Sequence, residues 1–206
     1  MKKFYFTCFL ILASFLLKAQ ESSDKHESGV KSAVLSKGNM LFEGGLSLST
    51  GDTNNDYFGF SPKFGFFVSD KLVVGGDIDI SSTDYLVSTT GLDKSDSFGI
   101  GGFVRLYFLQ LRNFKAYGEG GLGYNHTRLG YTGGKTEMNN GVKANVDLGI
   151  NYFFTSRWAA TFTLAQVLSY NNSNPENGSS TNDLVVNVNL FNNIFAQPKF
   201  GLLYKW

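Results

Sequence analysis

Alternation with a period of two, kept up from Gly38 to the last residue, is the feature that most limits what this chain can fold into. In the stretch SFGIGGFVRLYF, Phe98, Ile100, Val104, Leu106 and Phe108 fall on one side, and Gly99, Gly101, Arg105 and Tyr107 on the other. Successive side chains of a strand point to opposite faces, whereas a helix would repeat its apolar positions every 3.6 residues. The same division recurs at Phe58, Phe60, Phe64, Phe66 and Val68 against Tyr57, Gly59, Ser61, Lys63 and Gly65. It recurs again at Val142, Ala144, Val146, Leu148, Ile150 and Tyr152 against Lys143, Asn145, Asp147 and Asn151. Candidate strands cover 39–50, 57–68, 72–82, 97–108, 114–126, 139–153, 158–170 and a final segment within 183–206. No segment carries a convincing amphipathic helix.

The connections alternate in length. SDK, LQLRN and FTSR are short; STGDTNND, STDYLVSTTGLDKSD, TRLGYTGGKTE and NNSNPENGSSTN are long and polar. Short turns at one end and long loops at the other describe an up-and-down antiparallel meander. An all-β, eight-stranded barrel that crosses an outer membrane has this form. A soluble sandwich or lipocalin-like barrel would also alternate, but with the apolar face inward and the charged face in water. The charged face argues for the membrane arrangement, because it is dominated by glycine with isolated ions. Glycine weakens an exposed strand face, whereas inside a narrow eight-stranded barrel it makes room for the few long side chains that fill the interior. Aromatic residues at the short-turn end (Phe108, Phe114, Phe153, Trp158, Trp206) suit an interfacial girdle.

The first twenty residues, MKKFYFTCFLILASFLLKAQ, read as a secretory signal: Lys2 and Lys3 precede an apolar stretch, and Ala19 stands where a small residue precedes cleavage. The run is shorter than a spanning helix needs. A cut there removes three of the 18 basic residues and none of the 17 acidic ones, leaving a net charge of −2. The only cysteine, Cys8, goes with it, so disulfides and thiolate chemistry are excluded from the exported chain. Residues 21–37 read as a flexible polar leader, and 38–206 as the barrel domain.

The segments KGNMLFEGGLSLS, FGFSPKFGFFVSDKLVVGGDIDI, FVRLYF, KAYGEGGLGY and FGLLYKW together resemble the outer-membrane β-barrel proteins of Bacteroidota type, porin-like or OmpA-like in their barrel domain. The resemblance spans about residues 38 to 206. It implies residence in the cell outer membrane, with outer-membrane lipid and lipopolysaccharide as surroundings. It also implies recognition of Phe200, Leu202, Tyr204 and Trp206 by the barrel-assembly machinery as an insertion signal. The segment 183–206 is long for one spanning strand, and a kink or bulge around Asn192–Asn193 is expected.

The charges on the lumen face cluster by height. Glu43, Lys63, Asp77, Arg105, Glu119, Asp147 and Lys199 lie within a band on the order of 10 Å tall, at a rise of ~3.3 Å and a tilt of ~40°. Arg105 and Glu119 fall nearly opposite each other in one hairpin. Ions in a low-dielectric lumen must be paired, so the expectation is an internal plug of salt bridges, with a gated narrow pore as the alternative. No catalytic, cofactor or metal site is expected. The GEGGLG stretch (Gly118, Gly120, Gly123) matches a dinucleotide fingerprint, but no helix follows to hold a pyrophosphate. His26 and His126 have no metal spacing. A hydrolase would need His126 to reach a serine such as Ser169. No basic stripe points to nucleic acid. The outer loops, with Tyr85 and Tyr131, offer a surface for a ligand that the residues do not name.

Overall fold

The hairpins close by short turns because consecutive antiparallel strands need only a few residues between them. The computed structural model describes residues 33–51, 54–85, 91–176, 178–187 and 199–206. The chain divides after Val30, and all described residues belong to the second unit, Lys31–Trp206. Its strands are β1 (Met40–Gly51), β2 (Asn54–Phe67), β3 (Leu72–Asp84), β4 (Leu92–Leu111), β5 (Phe114–Tyr131), β6 (Thr136–Phe153), β7 (Trp158–Pro175), β8 (Thr181–Val186) and β9 (Lys199–Lys205). Each of β1 to β7 pairs antiparallel with the next.

The ring closes through β9, which pairs with β1 on one side and β7 on the other. β1-β2-β3-β4-β5-β6-β7-β9 is therefore a cyclic sheet of eight strands, an antiparallel up-and-down barrel. The final segment departs from the expected single strand. β8 pairs with Ser173–Leu168 of β7, and β9 with Trp158–Thr163 of the same strand, so two short strands share one edge of β7. The kink expected at Asn192–Asn193 lies outside the described residues. The strands also run further than the sequence pattern suggests: TRLGYTGGKTE, expected as a loop, is mostly β5 and β6 joined by a tight turn in which Gly133 and Gly134 have φ of 93° and 82°.

Inside and outside are assigned as the alternation requires. On β4, Phe98, Ile100, Val104, Leu106 and Phe108 are exposed, while Phe103, Arg105 and Tyr107 are buried. On β2, Phe64 and Phe66 face out and Phe67 faces in, and Val68 just beyond the strand is exposed. Glycine serves the interior at close approaches: a Cβ at Gly149 would run into the Tyr117 ring, and one at Gly75 would meet Phe103 at 2.7 Å. The missing side chains make room for the Tyr117 and Phe103 rings, two of the large groups that fill the lumen. The face pattern differs from expectation in one respect, because Gly76, Gly102 and Gly120 lie on the outer face, in line with Ile78, Val104 and Leu122.

Layers of the interior follow from the register. At the short-turn end sit Leu41, Phe67, Val73, Phe153, Ala159 and Leu203, all buried. Two residues of the segment read as leader, Ala33 and Leu35, belong to the same buried cluster. Above them lie the charged residues, in rows set by the pairings Glu43↔Lys63↔Asp77 and Arg105↔Glu119↔Asp147.

The turn between β4 and β5 is only Arg112 and Asn113, and Arg112 has a φ of 44°. A two-residue hairpin needs this left-handed geometry, which costs a side-chain-bearing residue roughly 1 kcal/mol. Arg112→Gly is expected to raise the urea midpoint of the folded barrel, and the β-branched Arg112→Ile to lower it. Equal midpoints for the two would remove the backbone argument.

Candidate functional site

Arg105 organises the lumen. It projects inward from β4 and is fully buried. Its Nη1 donates to Glu43 Oε2 at 2.7 Å, its Nη2 to Glu43 Oε1 at 3.2 Å, and its Nε to Glu119 Oε2 at 2.6 Å. The planar guanidinium, with donors in a fixed fork, suits this two-carboxylate grip, and an ammonium would not reproduce it. Lys63 pairs with the other oxygen of Glu119. Two cations and two carboxylates therefore form one neutral cluster drawn from β1, β2, β4 and β5.

A neutral hydrogen-bond chain braces the cluster. The Tyr107 hydroxyl donates to Asn151 Oδ1 at 2.7 Å, Asn151 Nδ2 donates to Thr161 Oγ1 at 2.7 Å, and the Thr161 hydroxyl donates to Glu43 Oε2 at 3.3 Å. Tyr117 presents its ring face to the guanidinium, with Arg105 Cζ 4.0 Å from the ring centroid. Phe103 presents its ring at 5.7 Å from Arg105 Cζ and 5.4 Å from Lys63 Nζ. Buried polar groups are costly unless their partners are present, and Glu43, Arg105, Glu119, Tyr107, Asn151 and Thr161 each have one.

Toward the long-loop end the cluster forms the floor of a cavity of about 270 Å³. Its walls include Ser47, Ser61, Asp77, Asp79, Lys143, Asn145, Asp147, Gln166 and Asn171. Lys143 pairs with Asp79, and Asn145 Nδ2 donates to Asp147 Oδ2 at 2.6 Å. The cavity is polar and wide enough for water.

Of the seven lumen charges read from sequence, the structure brings Glu43, Lys63, Arg105 and Glu119 into contact. Asp77 and Asp147 line the cavity above, outside that cluster. Lys199 is in register with Thr163, and its side chain lies outside the described residues. The sequence reading missed the Asp79–Lys143 pair, although both residues fall on the lumen face by parity. It also missed the bracing role of Tyr107, Asn151 and Thr161. Phe200 and Trp206 are exposed on the outer face, with Leu203 between them turned inward and buried. Tyr204 packs against Trp158 and Trp206, at centroid distances of 4.8 and 5.7 Å. His126 is paired across strands with the exposed Phe98 and bonds through Nδ1 to Asn140 Oδ1 at 2.7 Å. Ser169 lines the cavity, so the two stand on opposite faces of the wall.

No protein-family model and no curated protein matches the chain. Solved structures similar to it are outer-membrane proteins. The N-terminal β-barrel domain of Pseudomonas aeruginosa OprF is 13% identical, with a TM-score of 0.44 over 82% of this chain and 98% of that one. Neisserial surface protein A is 16% identical, with a TM-score of 0.48 over 82% and 94%. Outer membrane protein OprG from Pseudomonas aeruginosa is 12% identical, with a TM-score of 0.49 over 86% and 99%.

Removing Arg105 leaves Glu43 and Glu119 charged, buried and short of their shared partner. Arg105→Met is expected to cost about 3–5 kcal/mol in urea unfolding of the barrel folded into lipid vesicles, followed by tryptophan fluorescence. Lys63→Met is expected to cost less, because the Lys63 side chain keeps 23% of its surface in contact with solvent. A loss from Arg105→Met no larger than that from Lys63→Met would contradict the assignment.

Proposed function

We propose that the chain is an outer-membrane β-barrel protein with a structural or surface-interaction role, its lumen closed by the Arg105 cluster. One observation carries the reading. Large apolar side chains encircle the outside of a closed ring: Phe42 and Leu46 on β1, Phe64 on β2, Ile78 on β3, Ile100 and Val104 on β4, Leu122 on β5, Val146 on β6 and Phe200 on β9. Proteins surrounded by water rarely expose a continuous apolar surface of this kind. Along β4 the apolar side runs from Phe98 to Phe108. At a rise of ~3.3 Å per residue and a tilt of ~40°, that is a height of about 25 Å, the thickness of the apolar band on barrels of outer membranes. A closed ring also leaves no strand edge unpaired in lipid.

The lower margin of the band supports the same reading. Phe114 packs tilted against Tyr152 at 4.8 Å between centroids, Trp158 against Tyr204 at 4.8 Å, and Phe64 against Trp206 at 5.9 Å. Aromatic rings with one apolar and one wet edge gather at membrane interfaces. In this reading outer-membrane lipid and lipopolysaccharide cover the band, and Phe200, Leu202, Tyr204 and Trp206 are the face offered to the barrel-assembly machinery. The Bacteroidota-type affiliation rests on the sequence resemblance. A ligand for the loops would be met beyond the band, where β4 to β7 extend past the apolar stretch.

A narrow channel is the second reading, favoured by the polar cavity above the Arg105 cluster. Planar-bilayer recording separates the two. The closed barrel is expected to give no discrete conductance, while steps that change with Glu119→Ala would support the channel. Membrane placement has its own test. Val104→Arg, near the middle of the band, is expected to cost about 2–4 kcal/mol of stability in lipid vesicles, and Phe108→Arg at its margin about 0–1 kcal/mol. Equal costs at the two depths would contradict the membrane reading.

A further inference from the structure

The apolar layer at the short-turn end poses a problem for a barrel whose strands begin at Met40. Leu41, Phe67, Phe153, Ala159 and Leu203 would form the floor of an open mouth, facing water on the side of the short turns. They are instead buried, with exposures of 1% or less. What covers them comes from the chain before β1. Ala33 is 1% exposed and Leu35 is 4% exposed, and both belong to the same buried cluster; Val34, between them, is 70% exposed. The segment thus alternates, with two side chains turned into the mouth and one turned away.

Backbone contacts hold it there. Gly38 N donates to Phe67 O at 2.9 Å, and Phe67 N donates to Asn39 O at 2.8 Å. Ser36 N donates to Asn39 Oδ1 at 3.0 Å, Asn39 N returns to Ser36 O at 3.1 Å, and Lys37 N donates to Asp70 Oδ1 in the β2–β3 turn at 2.8 Å. Gly38 has a φ of 89°, a left-handed conformation that lets the chain reverse at the mouth before entering β1.

We propose that Ala33–Lys37 is a built-in stopper that closes the short-turn mouth of the lumen, with Ala33 and Leu35 as its inserted side chains. The stopper deepens the closed-lumen reading, and rests on it, by adding a second seal independent of the first. The Arg105 cluster blocks the lumen by filling it with paired ions; the stopper keeps water off the apolar layer beneath that cluster. Access to the lumen from the short-turn side therefore requires the segment to leave. A segment joined to the barrel through one glycine reversal is suited to leaving without disturbing the strand pairing.

Thiol labelling tests this in the full chain carrying Cys8→Ser, folded in detergent, with a water-soluble maleimide. Ala33→Cys is expected to react at least about 100-fold more slowly than Val34→Cys, since the buried thiol reacts only when the segment opens. In a second pair, an Ala159→Cys reporter is combined with Leu35→Asp or with Val34→Asp. Leu35→Asp is expected to speed labelling of the reporter at least about tenfold, and Val34→Asp to leave it unchanged. Equal reactivity at positions 33 and 34 would overturn the stopper. So would a reporter that stays equally protected with Leu35→Asp in a barrel still showing heat-modifiable mobility. Should Leu35→Asp fail to fold, the comparison of positions 33 and 34 decides alone. Neither result touches the Arg105 seal, which is read by conductance.

Discussion

Closure of the hydrogen-bonded ring is the constraint from which the other features follow. β9 contributes only seven residues, yet it satisfies an edge of β1 and an edge of β7 together. Once the ring is shut, each strand has one face toward a sealed interior and one toward the surroundings, and a period of two becomes a division between inside and outside. A slip of one residue in β4 would turn Arg105 outward and Val104 inward, so its register is held by the cost of both errors. Eight strands then fix the bore, which is too narrow to stand empty and too narrow for large side chains at every inward position. The glycines opposite Tyr117 and Phe103 are the consequence.

Within that bore, the four charges at the centre form a balanced set. Glu43, Lys63, Arg105 and Glu119 are far apart in the chain and meet because β1, β2, β4 and β5 bring them to neighbouring heights. The desolvation of each ion is offset by its partners, and the residual hydrogen-bonding capacity goes to Tyr107, Asn151 and Thr161. An apolar layer lies on one side of this set and a polar cavity on the other. The lumen is graded from mainly apolar at the short-turn end to polar beyond the Arg105 cluster.

Much of this was legible from residue order. Parity separates Arg105 and Glu119 from Phe98 and Ile100, because a strand has only two faces, and the glycine and isolated ions on the first face assign it to the lumen. The short turns at SDK and FTSR were legible for the same local reason. What escaped depended on contacts distant in sequence. The last segment reads as one long, kinked strand; only the separate stretches of β7 with which its two ends pair divide it into β8 and β9. Asp79 and Lys143 sit 64 positions apart, and nothing local says that they meet. Ala33 and Leu35 were hidden in a polar segment, since the three-residue apolar run Ala33, Val34 and Leu35 among serines and lysines carries no signal until a mouth exists to receive it. Glycine on the outer face, as at Gly76 and Gly102, shows that composition of a face is a weaker guide than its parity.

The orientation of the wall is tested most directly by spin labels placed singly from Ser97 to Phe108 on β4, with the barrel in lipid vesicles. Collision with oxygen, which concentrates in the bilayer, is compared with collision with a water-soluble nickel complex. Oxygen accessibility is expected to peak at positions 98, 100, 104, 106 and 108 and to fall at 99, 103, 105 and 107. Nickel is expected to reach none of positions 100 to 106. An alternation of the opposite phase, or nickel reaching positions 100, 104 and 106 as readily as oxygen does, would contradict a barrel whose apolar face meets lipid.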